Sequence, residues 1–588
     1  MPVDVNALMT RAEAAFRTRR FDSARTDLAA VSRVVGDHFA VLHLLALVEQ
    51  NAGRPVPALA AFRRALALAP GDPQINNNFA NLLDAQGDLE QAATHYSYAL
   101  AADPLFADAR LNRATTLHKL GMFDLARLDL DQVIATNPSD ARAYEARGGV
   151  YRAEGNAAAA EADFRHALAL SPNRAMALHG LARMATERND DTALPLYRRA
   201  HAVAPKDLEV ILGYAEALEA AGQDGGIPLL AAAVDSAPEW IAGLDSLARM
   251  RSEADADDDF AAGYAAAIIK RPTDRALNLA YWRCLARGDR HADALAALDL
   301  ARDRIKNDAE IDLFEGVLAS EAGDLDRADA ALSRIDDSRD GRLAIGRHAL
   351  RRHDPARAAA ILEPVARSDL SLVAAWAQLA IAWRLLGDPR AAWLCDQPGL
   401  CGVQDLDVNA SDLAELAETL RGLHRTRAHP IGQSLRGGTQ TRGRLFDRVE
   451  PSIARFKQVV ERGLAAHCAA LPPTDPTHPL LRHRDEALHF GGSWSVRLSS
   501  GGFHVNHVHP QGILSSACYI ALPDTGGPER PGWLELGGPP AELGLDLPPI
   551  ATIEPRPGRL ILFPSYLYHG TRPFVVGERL TVAFDIVV

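Results

Sequence analysis

The sequence predicts a multidomain chain. An all-α solenoid covers residues 1–398, a helical supporting segment covers 399–485, and a small antiparallel sandwich or jelly roll covers 486–588. Three observations predict this. Prolines stand at Pro70, Pro104, Pro138, Pro172, Pro205 and Pro238 in steps of 33 or 34 residues, and Pro272 continues the series. The helical rhythm breaks at Asp396-Gln-Pro-Gly-Leu-Cys-Gly402. From Trp494 onward the apolar period becomes two, with turn residues between short runs, as in half-buried strands.

Composition narrows the function classes. With 588 residues, 63 basic and 76 acidic side chains, the formal charge is −13. Binders of nucleic acid or anionic membranes need positive surface, so neither partner is expected. Hydrophobic content of 48% with 24% charged residues suits a folded soluble chain. No apolar run approaches the 18 or so residues that span a bilayer. Five cysteines without a Cys-x-x-Cys pair make no disulfide framework, and Cys395 and Cys401 are read as chance neighbours. Met1-Pro2-Val3-Asp4 opens no basic, apolar leader. The expected compartment is a reducing cytoplasm.

The array is justified residue by residue. Phe62, Tyr96, Leu130, Phe164 and Tyr197 precede their prolines by eight positions, and Ala65, Ala99, Val133, Ala167 and Ala200 precede them by five. Gly53, Gly87, Gly121 and Gly155 keep the same step. Small residues let two helices of a hairpin approach, and the aromatic fills the gap to the next hairpin. The glycine suits the turn, where left-handed backbone is cheap, and the proline stops the second helix. No single hairpin buries its own apolar face, so hairpins must stack. On these positions the chain resembles the tetratricopeptide repeat family. The family's tryptophan is not kept; Leu42 and Asn76 stand in its place. The pattern is strong from 39 to 240 and then blurs, although Gly288, Gly323 and Gly387 keep hairpin-like contexts. The resemblance implies a superhelix that takes a protein or peptide substrate on its concave face. Asn77, Asn78, Asn81, Asn112 and Arg113 cluster on expected inner positions. Asn amides pair with an extended peptide backbone; the alternative is a solvated helix face.

After the break, helices are expected over 410–424, capped by Asn409 or Ser411, and over 451–471. Arg436-Gly-Gly-Thr-Gln-Thr-Arg-Gly-Arg444 reads as a glycine-rich basic loop without phosphate-loop spacing. Strands are expected at 493–498, 513–522, 533–536, 551–553, 559–563 and 579–587, with a turn at Gly501-Gly502.

The chemistry concentrates in His504-Val-Asn-His507-Val-His509-Pro510. His507 and His509 are two apart, so extended backbone points both to one side. They form two legs of a metal site, and His569 supplies the third; imidazole suits iron, zinc or copper. On the last strand Arg579, Thr581, Ala583 and Asp585 alternate with an apolar set, Leu580, Val582, Phe584 and Ile586. The first set therefore faces the mouth of the roll. A guanidinium fork beside a hydroxyl suits a carboxylate. Ser515, Ala517 and Tyr519 share one face, with Tyr519 a further donor, and Arg497 is read as a second cation for the cavity.

Metal and carboxylate receptor together resemble the 2-oxoglutarate- and Fe(II)-dependent oxygenases, specifically the oxygenase domains attached to tetratricopeptide arrays. The likeness rests on 502–510, Gly-Phe-His-Val-Asn-His-Val-His-Pro, and on 516–523, 563–569 and 579–585. It implies a double-stranded β-helix of cupin-like kind, Fe(II) held by His507 and His569, and 2-oxoglutarate as cosubstrate with its distal carboxylate on Arg579 and Thr581. The family's usual triad is two histidines and one carboxylate; here His509 stands at the carboxylate position. Either three histidines hold the metal, or water or another side chain completes it. His504 is assigned a supporting or substrate role. The resulting expectation is a dioxygenase that hydroxylates a polypeptide recruited by the array. Two alternatives stand beside it. Gly501 and His507-x-His509 resemble the first motif of three-histidine thiol dioxygenases, though Ile513 and Leu514 stand where that motif has glutamate. The roll is otherwise a non-catalytic module on a scaffold.

Overall fold

The structure, a computed structural model, describes residues 4–188, 190–254, 259–523 and 530–588. Helical hairpins follow one another from Val5–Arg17 to Arg390–Cys395. The pair Pro73–Ala85 and Leu89–Ala102 shows how the sequence builds one. Asp72 accepts the Ile75 N–H at 2.9 Å, and Pro73 sits in the first turn, where its missing N–H costs nothing. Gly87 takes a left-handed φ of 84° and turns the chain back. Ala92, Tyr96 and Ala99 are buried on the second helix, and Pro104 follows its C-terminal cap. Farther along, Phe164 presses on Gly180 so closely that an added Cβ there would lie 2.5 Å from the ring.

One repeating feature escapes the proline and glycine pattern. Arg11–Asp27, Arg113–Asp129 and Arg147–Asp163 form ion pairs across hairpins, each with the aspartate buried. Arg113 holds Asp129 with two 2.7 Å bonds, so it serves the hairpin rather than an open inner face. Beyond residue 240 the hairpins continue although the motif fades. Part of the reason lies in the turns, where Asp289 (φ 58°) and His353 (φ 57°) adopt the left-handed conformation that glycine holds earlier. Such a residue costs about 1 kcal/mol and removes the glycine signal.

The chain forms two compact units, residues 1–184 with 195–205, and residues 185–194 with 206–588. The second unit holds its own helical hairpins and the nine strands found among the described residues. These are β1 (Gly402–Asp405), β2 (Leu435–Gln440), β3 (His489–His504), β4 (Leu514–Ala521), β5 (Leu534–Leu536), β6 (Ala551–Ile553), β7 (Arg559–Pro564), β8 (His569–Thr571) and β9 (Arg579–Val587). They make a six-stranded sheet, β1-β7-β4-β9-β3-β2, and a three-stranded sheet, β6-β5-β8, with antiparallel pairing throughout. Tyr519, Leu534, Leu536, Ile561 and Phe563 form a core shared by strands of both sheets. Helices Ala410–Leu423, capped by Asn409, and Pro451–Ala470 pack with the larger sheet.

Two sequence expectations change here. The glycine-rich segment at 436–444 is not simply a loop, because its first half is β2, paired with β3. Its glycines permit close strand approach: a Cβ on Gly438 would meet the Arg497 carbonyl at 2.4 Å. Gly501-Gly502 does not end a strand either; β3 runs on to His504 with Gly501 at φ 79°. No helix among the described residues is long and apolar enough to cross a membrane.

Candidate metal centre

His507 follows the end of β3, and His569 opens β8. The two pair as an isolated antiparallel bridge: each N–H donates to the other's carbonyl at 3.0 Å. Residues 62 positions apart are thus locked side by side, with ring centroids 4.1 Å apart. His509 completes the cluster, and one nitrogen from each of the three rings lies within 4.8 Å of the others.

The second nitrogen of each ring decides what the first can do. His507 Nδ1 lies 2.9 Å from the Val505 carbonyl, and His569 Nδ1 lies 3.1 Å from the Leu567 carbonyl. A carbonyl only accepts, so both Nδ1 atoms carry the proton and both Nε2 atoms keep a lone pair. His509 Nδ1 lies 2.5 Å from Asp585 Oδ1, which fixes the same tautomer. His507 Nε2 and His509 Nε2 then face each other at 3.1 Å. A cation between them, a proton or a metal ion, would be held by both rings. Burial pushes the His507 imidazole down to about 3, with His509 adding to the shift. Burial, then His507, holds His569 well below the usual range. His507 and His569 are therefore neutral at pH 7, the form that ligates metal. The donor set fits a divalent ion that bonds imidazole at about 2.0–2.1 Å.

The cluster lies in a cavity of about 810 Å³. Arg579, Thr581, Ala583 and Asp585 of β9 all line it, as the alternation predicts. Arg579 is 3% exposed; its Nη1 donates to the Gly532 carbonyl at 2.9 Å, while Nε has no partner among the described residues. Its guanidinium lies 4.9 Å from the Tyr519 ring centroid, and the buried Tyr519 hydroxyl likewise has no partner among the described residues. Burial raises the Tyr519 phenol and keeps it protonated. A buried donor without an acceptor costs about 1–3 kcal/mol; Arg579 and Thr581 line the cavity whereas Tyr519 lies behind the guanidinium, so an oxyanion in this corner would meet Arg579 and Thr581.

Arg497 is a correction. Trp494 and Val496 line the cavity, so alternation turns Arg497 to the opposite face of β3. There it pairs with Glu578 at 2.5 Å. His504 lines the cavity, and Ser434 Oγ bridges it to His507, 3.0 Å from His504 Nδ1 and 3.1 Å from His507 Nε2. Ser434 escaped the sequence reading, as did five cavity residues from the hairpin region of this unit: Ser252, Phe260, Ala286, Arg287 and Asp289. No local motif marks them. Asp585 was placed on the mouth-facing set, but its partner follows only from the register Asp585↔Ser515.

Residues 492–585 match the family described as "Putative 2OG-Fe(II) oxygenase". Residues 9–73, 85–148 and 141–174 match tetratricopeptide repeat families. Human tetratricopeptide repeat protein 7B is 30% identical over 118 residues, which is 20% of this chain and 14% of that protein's length. Among solved structures, PilW, a type IV pilus biogenesis factor, is 21% identical with a TM-score of 0.32, covering 35% of this chain and 96% of that one. A thermophilic tetratricopeptide protein from Thermus thermophilus is 27% identical with a TM-score of 0.28, covering 31% of this chain and 100% of that one. The chain carries tetratricopeptide repeats in its N-terminal region and, at residues 492–585, a domain of that oxygenase family.

Proposed function

We propose that the protein is a 2-oxoglutarate- and Fe(II)-dependent dioxygenase that hydroxylates a protein or peptide. The observation that carries this reading is three convergent imidazole nitrogens in one cavity with a buried, incompletely paired guanidinium. His507, His509 and His569 would hold the iron. Arg579 and Thr581, with Tyr519 behind the guanidinium, would hold the distal carboxylate of 2-oxoglutarate. When bound, iron and 2-oxoglutarate would let dioxygen act as the oxidant, one oxygen atom entering the substrate as a hydroxyl and the other entering succinate, which forms with carbon dioxide.

The chain's own residues orient what binds. Burial strengthens the attraction of Arg579 for a carboxylate, and the Gly532 carbonyl fixes the guanidinium plane. Trp494 and Phe260 line the same cavity and give it an apolar wall. The cavity is several times the size of a small dicarboxylate and matches the volumes of sites that take larger ligands. Arg287 and Asp289, from a helical hairpin, stand on its wall, Asp289 paired to Arg436 at 2.6 Å. That wall supports a polypeptide substrate, since helical-repeat side chains and ligand histidines would contact the same guest. We take 1–398 as the array, 399–485 as its support and 486–588 as a double-stranded β-helix core formed by the two sheets. The cysteines are all free, in keeping with a reducing cytoplasm.

The all-histidine donor set favours a second reading, the thiol dioxygenase, which needs no 2-oxoglutarate. One experiment separates the two: iron-loaded protein with 2-oxoglutarate and lysate-derived peptides, followed by succinate release and peptide mass. Succinate together with one added oxygen supports the hydroxylase. Oxygen uptake with a small thiol and no succinate supports the alternative.

A further inference from the structure

The three histidines are not held alike. His507 and His569 each give their Nδ1 proton to a backbone carbonyl two residues earlier. His509 gives its proton to a carboxylate, Asp585, at 2.5 Å. His509 is also the residue standing where the family places a carboxylate ligand. We propose that Asp585 is a positioning residue that supplies, through the His509 ring, the negative charge that such a ligand carries directly. This rests on the metal reading above and adds to it the origin of the site's charge balance.

The surroundings are built for that task. Ser515 Oγ donates to Asp585 Oδ1 at 3.0 Å and lies 2.8 Å from Ser565 Oγ; both serines are fully buried. Asp585 and His509 side chains are only 18% and 12% exposed, so solvent screens their contact weakly. Gly512 leaves room for the group, because a Cβ there would lie 2.7 Å from Ser565 Oγ and 3.4 Å from Asp585 Cβ. The Trp494 ring packs 5.6 Å from His509 and limits its rotation. An anionic acceptor on Nδ1–H makes Nε2 a stronger donor and fixes its direction. Three neutral imidazoles alone offer the ion no charge. Asp585 adds one negative charge without occupying a coordination position.

The test is metal affinity, read without turnover. Wild type, Asp585→Asn and Asp585→Ala are titrated anaerobically with Fe(II), and with Co(II) for its visible ligand-field bands, in competition with a chelator. Asp585→Ala is expected to weaken binding ~10–100-fold, the usual effect of losing such a partner. Asp585→Asn keeps an acceptor and loses the charge, so it should fall between and shift the Co(II) bands. Circular dichroism of the metal-free proteins checks the fold, and the near-isosteric Asn variant keeps the test open if the Ala variant misfolds. In a His509→Asp background, where a carboxylate is offered directly, Asp585→Asn should weaken binding no more than about twofold. Metal-binding variants within about twofold of wild type would overturn the assignment of Asp585 alone. A wild type that takes no metal would overturn the metal reading and this inference together.

Discussion

Two polar clusters, one in each compact unit, look alike in sequence and differ in the fold. In the first unit Asn112 Nδ2 donates to Asn77 Oδ1 and Asn81 Oδ1, Tyr96 donates to Asn81, and Asn78 meets His43. These amides tie neighbouring hairpins together. In the second unit the histidines turn one nitrogen each toward a common point, and Arg579 Nε is buried without a partner among the described residues. A cluster that satisfies itself stabilises a fold, whereas one left incomplete in a cavity is shaped for a ligand. From sequence the Asn cluster reads as a peptide clamp or a solvated helix face; its bonds also tie neighbouring hairpins together.

The largest test of that contrast removes ligands. His507→Ala with His569→Ala should take the protein from one bound iron per chain to none, measured by metal analysis after anaerobic loading and desalting. Next, Arg579→Ala should retain iron but lose about 2–5 kcal/mol of 2-oxoglutarate binding, roughly 30-fold or more, by calorimetry. Unchanged affinity would leave the buried guanidinium without a ligand role.

Acid should act on the second unit through histidines outside the metal cluster. His478 is fully buried, its Nδ1 accepts the Leu480 and Leu481 N–H groups, and burial pushes it down to about 4. Its folded value lies below the unfolded one, so the unfolded chain takes up the proton first as pH falls. The stability it contributes is complete above about pH 6.5 and is lost toward pH 4, up to ~3 kcal/mol. His478→Asn keeps the acceptor and removes the titration, so thermal melts at pH 7 and pH 4.5 should differ less than in wild type. Smallest is Asn112→Ala, which should lower stability by about 1 kcal/mol and leave iron and 2-oxoglutarate affinity untouched. A change in either affinity would break the contrast.

Much of this was legible in the sequence because it is periodic. The proline step marked the hairpins, and alternation along β9 put Arg579, Thr581 and Asp585 on the cavity side. Arg497 was misread because its apolar neighbours looked like a core face. Trp494 and Val496 instead line the cavity, so the charged residue faces Glu578. β1 and β2 were hidden because their glycines, Gly402 and Gly438, signal turns locally yet here admit close packing against His467 and Arg497. Ser434, Phe260 and the Asp585–His509 contact depend on long-range register and hairpin placement, which no local pattern encodes.

X-ray absorption at the iron edge of the anaerobically loaded protein tests the central claim most directly. The account predicts a first shell of nitrogen and oxygen near 2 Å, with outer-shell scattering from three imidazoles, and a changed spectrum when 2-oxoglutarate is added. A shell showing fewer than two imidazoles, or iron that washes away, would contradict it.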